Sequence, residues 1–259
     1  MLEFIDLSIL PTFLLTFARM IAYFVVMPLF SYRTIPTTFK IGFSFFLSLI
    51  FISSLETPNL IEFDFQFILL LIKEVTVGLL IGLIAYIILS AVQIAGGFID
   101  FQMGFAIANV IDPQTGAQSP IIGQYFYIFA LLFLLSVNGH HLLIDGIYHS
   151  YQFIPIDSFF SIDDSFGEFI LITFNKMFLI AFQMSIPLVG CLFLVDVALG
   201  IIARTVPQVN VFVVGLPLKI AVSFSVLLFF MAIYISLTKL LFEYMFEVMR
   251  DLMHILGGG

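Results

Sequence analysis

Polar positions in this chain are gathered into short stretches, and between them lie six apolar blocks at residues 7–30, 39–55, 67–99, 121–137, 169–203 and 209–241. A helix needs about 20 apolar residues to cross the roughly 30 Å of bilayer hydrocarbon. Lipid offers no partner to a bare backbone N–H or C=O, so the blocks are expected to be helices. The pattern therefore predicts an all-α integral membrane protein with about six long, kinked hydrophobic helices. Pro11, Pro28, Pro187 and Pro217 interrupt helices or mark their ends. In the third block, VGLLIGLIAYIILSA places Gly78 and Gly82 four apart. That spacing lets two helix backbones approach closely, and a glycine tolerated on a lipid-facing surface has the same signature.

Composition agrees with the pattern. The chain has 259 residues, 62% hydrophobic and 10% charged, with a mean hydropathy of +1.19. A soluble domain is about half apolar and about a quarter charged. With 34 Phe and no Trp, an interfacial aromatic belt must use Tyr and Phe, and the Phe excess is read as packing or lipid-facing bulk. A net charge of −8 does not suggest nucleic acid. Cys191 is the single cysteine, which excludes an intramolecular disulfide. The start MLEFIDL carries Glu3 and Asp6 rather than a basic stretch, so no cleaved signal is expected.

Charges inside the blocks change the picture more. Arg19 lies mid-block in the first, Lys73 and Glu74 early in the third, Lys176 early and Asp196 late in the fifth. A charge facing hydrocarbon costs several kcal/mol, so such groups face protein, water or one another. Lys73 and Glu74 are neighbours in sequence and are not expected to pair across one helix face, so each needs a partner elsewhere. Lys73 and Lys176 suit snorkelling near a helix end. Arg19 and Asp196 are expected to be buried against protein.

Arg33 and Lys40 flank the first connection, and Arg204 and Lys219 the fifth. The second and fourth carry Glu56, Glu62, Asp64, Asp145, Asp157, Asp163, Asp164 and Glu168 without a Lys or Arg. Cytoplasmic loops collect Lys and Arg, so odd-numbered connections should be cytoplasmic and both termini outside. Lys239 and Arg250, surrounded by Glu243, Glu247 and Asp251, argue weakly the other way.

The fourth connection reads NGHHLLIDGIYH, and His141, Asp145 and His149 recur every four residues along one helix face. Two imidazoles and a carboxylate so placed could hold a divalent ion. There is no fourth ligand nearby and Gly146 weakens the helix, so a polar interfacial helix is the favoured reading and no metal or other cofactor is expected. No nucleophile-elbow, zinc-protease, phosphate-loop or dinucleotide motif is present, and no enzyme is expected. Asp100, Asp112 and Asp196 are read as structural rather than as an acid pair.

One stretch fits neither a span nor a turn. Residues 98–123, FIDFQMGFAIANVIDPQTGAQSPIIG, keep bulky apolar side chains yet are broken by Gly104, Asn109, Asp112-Pro113, Gly116 and Pro120. With PLFSYRTIPTTFKIG before it, and NGHHLLIDGI and then ALGIIARTVPQVNVFVVGLPLKI after it, in that order and spacing, the chain resembles the FliR family of flagellar biosynthesis proteins. It also resembles the equivalent T family of virulence type III secretion export gates.

The resemblance covers nearly the whole chain and implies a bacterial inner-membrane, flagellar basal-body protein. It implies a core subunit of a protein-export gate assembled with FliP-like and FliQ-like subunits around a channel for unfolded protein substrates, with FlhA-like and FlhB-like export components as further partners. Residues 1–168 would be a FliP-like helical part and 169–259 a FliQ-like helical hairpin with a tail. The assembly would be raised largely out of the lipid. Arg19, Lys73, Glu74, Asp196, Arg204 and Lys219 would then contact neighbouring subunits.

The loop 103–119 would be a plug in the lumen. Gly104, Asp112, Pro113 and Gly116 would bend its backbone where it lines a cavity. Phe105, Ile107, Val110 and Ile111 would supply a dry seal, because hydrophobic constrictions gate by dewetting. The rival readings are a secondary transporter, disfavoured because no repeat relates the two halves, and a membrane assembly factor without a pore.

Overall fold

The computed structural model describes residues 9–32, 35–54, 61, 63–105, 120–159, 164–208 and 210–258. Seven helices occur among them: α1 Leu10–Val26, α2 Thr37–Ile52, α3 Phe65–Met103, α4 Ile121–Ser136, α5 Gly139–Phe153, α6 Asp164–Thr205 and α7 Val211–Gly257. The six expected blocks are thus redistributed. Three helices, α3, α6 and α7, have the length and apolarity to cross a membrane, and α4 with α5 makes a fourth candidate if counted as one broken span. α1 and α2 are shorter, at 17 and 16 residues. The long ones reach 39, 42 and 47 residues, about 60–70 Å at 1.5 Å per residue. That is about twice the hydrocarbon thickness.

The extra length is clearest in α7. Beyond its apolar block it continues through Met245, Val248, Met249, Leu252, Met253 and Leu256, all buried, while Glu243, Glu247, Arg250, Asp251 and His254 are exposed. This is the i, i+3, i+4, i+7 stripe of an amphipathic helix, which a search for uninterrupted apolar residues passes over. The seventh helix, α5, arises in the polar fourth connection. Asn138 adopts a left-handed φ of 58° between α4 and α5, a conformation that Asn tolerates better than most residues.

The chain divides into two compact units. One comprises Met1–Ile88, Asn138–Thr173 and Glu243–Gly259, the other Leu89–Val137 and Phe174–Phe242. In the first unit α1 is largely buried, with Leu15, Met20, Tyr23 and Phe24 fully enclosed. Gly78 and Gly82 of α3 face its backbone. A Cβ at Gly78 would overlap the Arg19 carbonyl oxygen, and one at Gly82 would lie 3.0 Å from that of Tyr23. The close approach offered by the four-residue glycine spacing is the one adopted.

α2 has an inverted surface. Lys40, Ser44 and Ser48, four apart, are buried, whereas Phe39, Ile41, Phe45, Phe46, Leu49 and Ile50 are exposed. The two serine hydroxyls donate to the carbonyls of Lys40 and Ser44 at 2.7 Å, which satisfies them within the helix. Two serines and a lysine inward, with Phe51 beyond them, and a row of bulky apolar side chains outward suit a surrounding of lipid or protein rather than water.

In the second unit α3 contributes Leu89, Val92, Ala95, Ile99 and Met103 to the core. α4 adds Phe126 and Leu134, α6 adds Met184 and Leu188, and α7 adds Phe230 and Tyr234. Tyr234 stacks on Phe126 at 4.4 Å between centroids and donates its hydroxyl to the Phe126 carbonyl. Gly96 of α3 meets Gly123 of α4, where a Cβ would overlap the facing backbone.

Candidate functional site

Charged side chains within apolar helices are the first place to look for function, and in the first unit three of them meet. Arg19 of α1 is fully buried and grips Glu74 of α3 with two nitrogens, Nε at 2.5 Å and Nη2 at 2.8 Å. It also donates to Ser150 Oγ at 2.9 Å and the Ile154 carbonyl at 2.8 Å, and its guanidinium lies 4.0 Å above the Tyr151 ring. Lys73 Nζ reaches Glu74 at 2.6 Å and the carbonyls of Pro155 and Ile156 at 2.7 and 3.1 Å.

Two cations here face one carboxylate. The imbalance is offset by the carbonyls just past the C-terminus of α5, where the helix dipole carries about half a negative charge and the last oxygens lack helical partners. Arg19 and Lys73 therefore cap α5 from neighbouring helices.

Two expectations change. Lys73 and Glu74, adjacent in sequence, do pair, because the flexible lysine stem wraps to the carboxylate beside it. Lys73 does not snorkel either: it is 3% exposed and anchored inward. Within this chain Arg19, Lys73 and Glu74 satisfy one another, with no neighbouring subunit needed to pair them.

The histidine-rich stretch does not gather a ligand set. His149 pairs with Asp145 through Nδ1 at 3.3 Å, both side chains being well exposed, while His141 lies against the His140 ring with centroids 4.1 Å apart. Among the described residues no group of three His, Cys, Asp or Glu could hold a metal.

The second unit brings together the residues around the odd stretch. α3 ends at Met103. Gly104 follows at φ +89°, its N–H bonded to the Phe101 carbonyl at 3.1 Å and that of Phe105 to Asp100 at 3.0 Å. This pair of bonds around a left-handed glycine is the Schellman stop, and a side chain at Gly104 would strain it.

At the other end of the stretch α4 opens at Pro120, which has no side-chain oxygen to cap the helix. The buried Asp100 carboxylate takes that role, accepting the N–H of Ile122 at 3.0 Å and that of Gly123. A carboxylate at a helix N-terminus satisfies free amides and meets the positive end of the dipole. One residue of α3 thus touches both ends of segment 106–119. Of the candidate plug residues, Gly104 and Phe105 fall here; Ile107, Val110, Ile111, Asp112, Pro113 and Gly116 lie outside the described residues.

Two residues along from Asp100, Gln102 donates to Asp196 Oδ2 of α6 at 2.8 Å, and Lys219 Nζ of α7 reaches Asp196 Oδ1 at 2.6 Å. Asp196 is therefore paired but not buried as expected. Its side chain is 39% exposed in the single chain, because it sits on the flank of α6. Arg204 is exposed in the last turn of α6. Sequence reading singled out Asp196 and Lys219, took Asp100 as structural without naming its partner, and missed Gln102; the partners of Asp100 and Gln102 lie 22 and 94 residues away.

Comparison with known proteins supplies the family. The model of bacterial export proteins, family 1, matches residues 10–245. The chain is 57% identical over 253 residues to the flagellar biosynthetic protein FliR of Bacillus subtilis (strain 168), covering 97% of this chain and 98% of that one. It is 26% identical over 238 residues to FliR of Escherichia coli (strain K12), with 90% and 89% covered. It is 31% identical over 215 residues to the Yop proteins translocation protein T of Yersinia pestis, with 82% of each covered. A family match over most of the chain, with near-complete coverage of a relative at this identity, places the chain among the bacterial export proteins of family 1, the family of the flagellar FliR proteins.

Proposed function

We propose that this chain is a core subunit of the flagellar type III protein-export gate in the bacterial cytoplasmic membrane, at the flagellar basal body. With FliP-like and FliQ-like subunits it forms the channel for unfolded export substrates, and FlhA-like and FlhB-like components work beside it. The observation that carries the reading is the near-full-length similarity to FliR proteins, with 57% identity to that of Bacillus subtilis against 31% to the translocation protein T. It acts by positioning rather than by chemistry, and no nucleic acid takes part.

Residues 1–168 form the FliP-like part and 169–259 the FliQ-like hairpin with its tail. The hairpin reading is supported by α6 and α7 being consecutive long helices joined by residues 206–210 and tied by Asp196–Lys219. Helices about twice the hydrocarbon thickness, with many bulky apolar side chains exposed along α2, α6 and α7, suit a subunit packed against other helices beyond the lipid. The exposed Arg204, the partly exposed Asp196 and the more enclosed Lys219 remain groups for subunit contact, whereas Arg19, Lys73 and Glu74 act within the chain. The Lys/Arg asymmetry puts the odd connections in the cytoplasm and both termini outside.

Segment 103–119 is the gating plug. Phe105, Ile107, Val110 and Ile111 seal a dry constriction, and Gly104, Asp112-Pro113 and Gly116 shape the backbone. Co-purification is the first test: FliP-like and FliQ-like chains should come out with this one, and recovery as a lone or homo-oligomeric protein would favour the transporter reading. Ion conductance is the second. Shortening the chain across residues 106–118 should leave the gate assembled but leaky, and Phe105→Ser should leak more mildly. An assembled, shortened gate as tight as wild type refutes the plug.

A further inference from the structure

The geometry points to a collar of positioning residues, Asp100, Gln102, Asp196 and Lys219, that holds both ends of segment 106–119 and ties them to the α6–α7 hairpin. The functional weight of this inference rests on the plug reading above, while the collar itself stands on described residues alone.

Four contacts converge on the last turn of α3. The Asp100 carbonyl receives the Phe105 N–H, fixing the outgoing chain. The Asp100 carboxylate receives the amides that open α4, fixing the returning chain. Gln102 reaches across to Asp196, which Lys219 holds from the next helix with contacts of 2.6 and 2.9 Å to its two oxygens. Leu216 of α7, one turn from Lys219, comes within 3.1 Å of where a Gly104 Cβ would stand, so α7 also abuts the stop itself.

The chemistry of the link is specific. Asp196 uses both oxygens, and charge-assisted bonds of this kind are about twice as strong as neutral ones. Gln102 is the one member able to donate or accept, so it can bond whichever sign of charge faces it. A generic surface ion pair between α6 and α7 would have no need of α3. Here the pair is joined to the turn that starts the segment, so a displacement of the hairpin is transmitted to both of its ends.

Hydrogen exchange in the purified, assembled gate tests the collar without reference to conductance. Asp196→Leu and Lys219→Met should each speed exchange at the Gly104 and Phe105 amides about tenfold or more, the loss of one charge-assisted link. Asp100→Leu should do the same at Ile122 and Gly123. The double exchange Asp196→Lys with Lys219→Asp should return the rates to within about threefold of wild type, because Gln102 then accepts from the lysine.

Unchanged exchange in Asp196→Leu overturns the collar, as does a charge-swapped gate that exchanges as fast as the single variants. Conductance separates the two readings. A gate that leaks when residues 106–118 are shortened but stays tight in a faster-exchanging Asp196→Leu refutes the collar's share in gating while the plug stands. A gate that stays tight when shortened refutes the plug while the exchange result still decides the collar.

Discussion

Replacing Glu74 with Gln should harm the isolated chain more than replacing its partner Arg19 with Met, although Arg19 makes the more numerous contacts. In Arg19→Met, Glu74 keeps Lys73 at 2.6 Å, and the two remaining charges cancel. Ser150 still donates to the Ile147 carbonyl at 2.6 Å, so the main orphan is the Ile154 carbonyl, an unsatisfied buried acceptor worth about 1–3 kcal/mol. In Glu74→Gln, two buried cations face each other with no carboxylate between them. Breaking a buried pair in this way costs about 3–5 kcal/mol. The difference, about 2 kcal/mol, corresponds to roughly 4–8 °C in Tm for a chain of this size.

Thermal unfolding of the separated, detergent-solubilised chain, followed by helical circular dichroism, measures it. Lys73→Met placed on Glu74→Gln should recover part of the loss by removing one of the two cations. Equal stability of Glu74→Gln and wild type, or a larger loss in Arg19→Met, would refute the charge accounting. Insensitivity of the isolated chain to both changes would return these residues to contacts with other subunits.

Glycines divide in the same experiment by what lies opposite them. Gly78→Ala drives a methyl into the Arg19 carbonyl and should destabilise by more than about 1 kcal/mol, whereas Gly190→Ala on α6 meets nothing within 4 Å and should be neutral or stabilising by up to about 1 kcal/mol. Topology is read with single cysteines in a Cys191→Ser background: an impermeant thiol reagent applied to intact cells should label Asp157→Cys and spare Thr34→Cys. The opposite labelling would invert the assigned orientation.

The class of this protein is a property of its sequence alone. A chain 62% hydrophobic and 10% charged has to form helices that satisfy their own backbone, and motifs in a fixed order were enough to suggest its family. Glycine spacing carries the same kind of local information: Gly78 and Gly82 fall on one face because 3.6 residues make a turn.

Helix ends and charge partners were not legible, for two different reasons. Hydropathy measures what lipid tolerates, so it stops α7 near Leu241, where amphipathic periodicity carries the helix on to Gly257. Ion pairing depends on where side chains arrive in space. Lys73 and Glu74 pair despite their adjacency, and Arg19 finds its carboxylate 55 residues away. Asp100 looked like one more acidic residue at the edge of an apolar block until tertiary structure set it against the uncapped start of α4. A buried charge demands compensation, and the identity of the compensating group is decided only when the helices have packed.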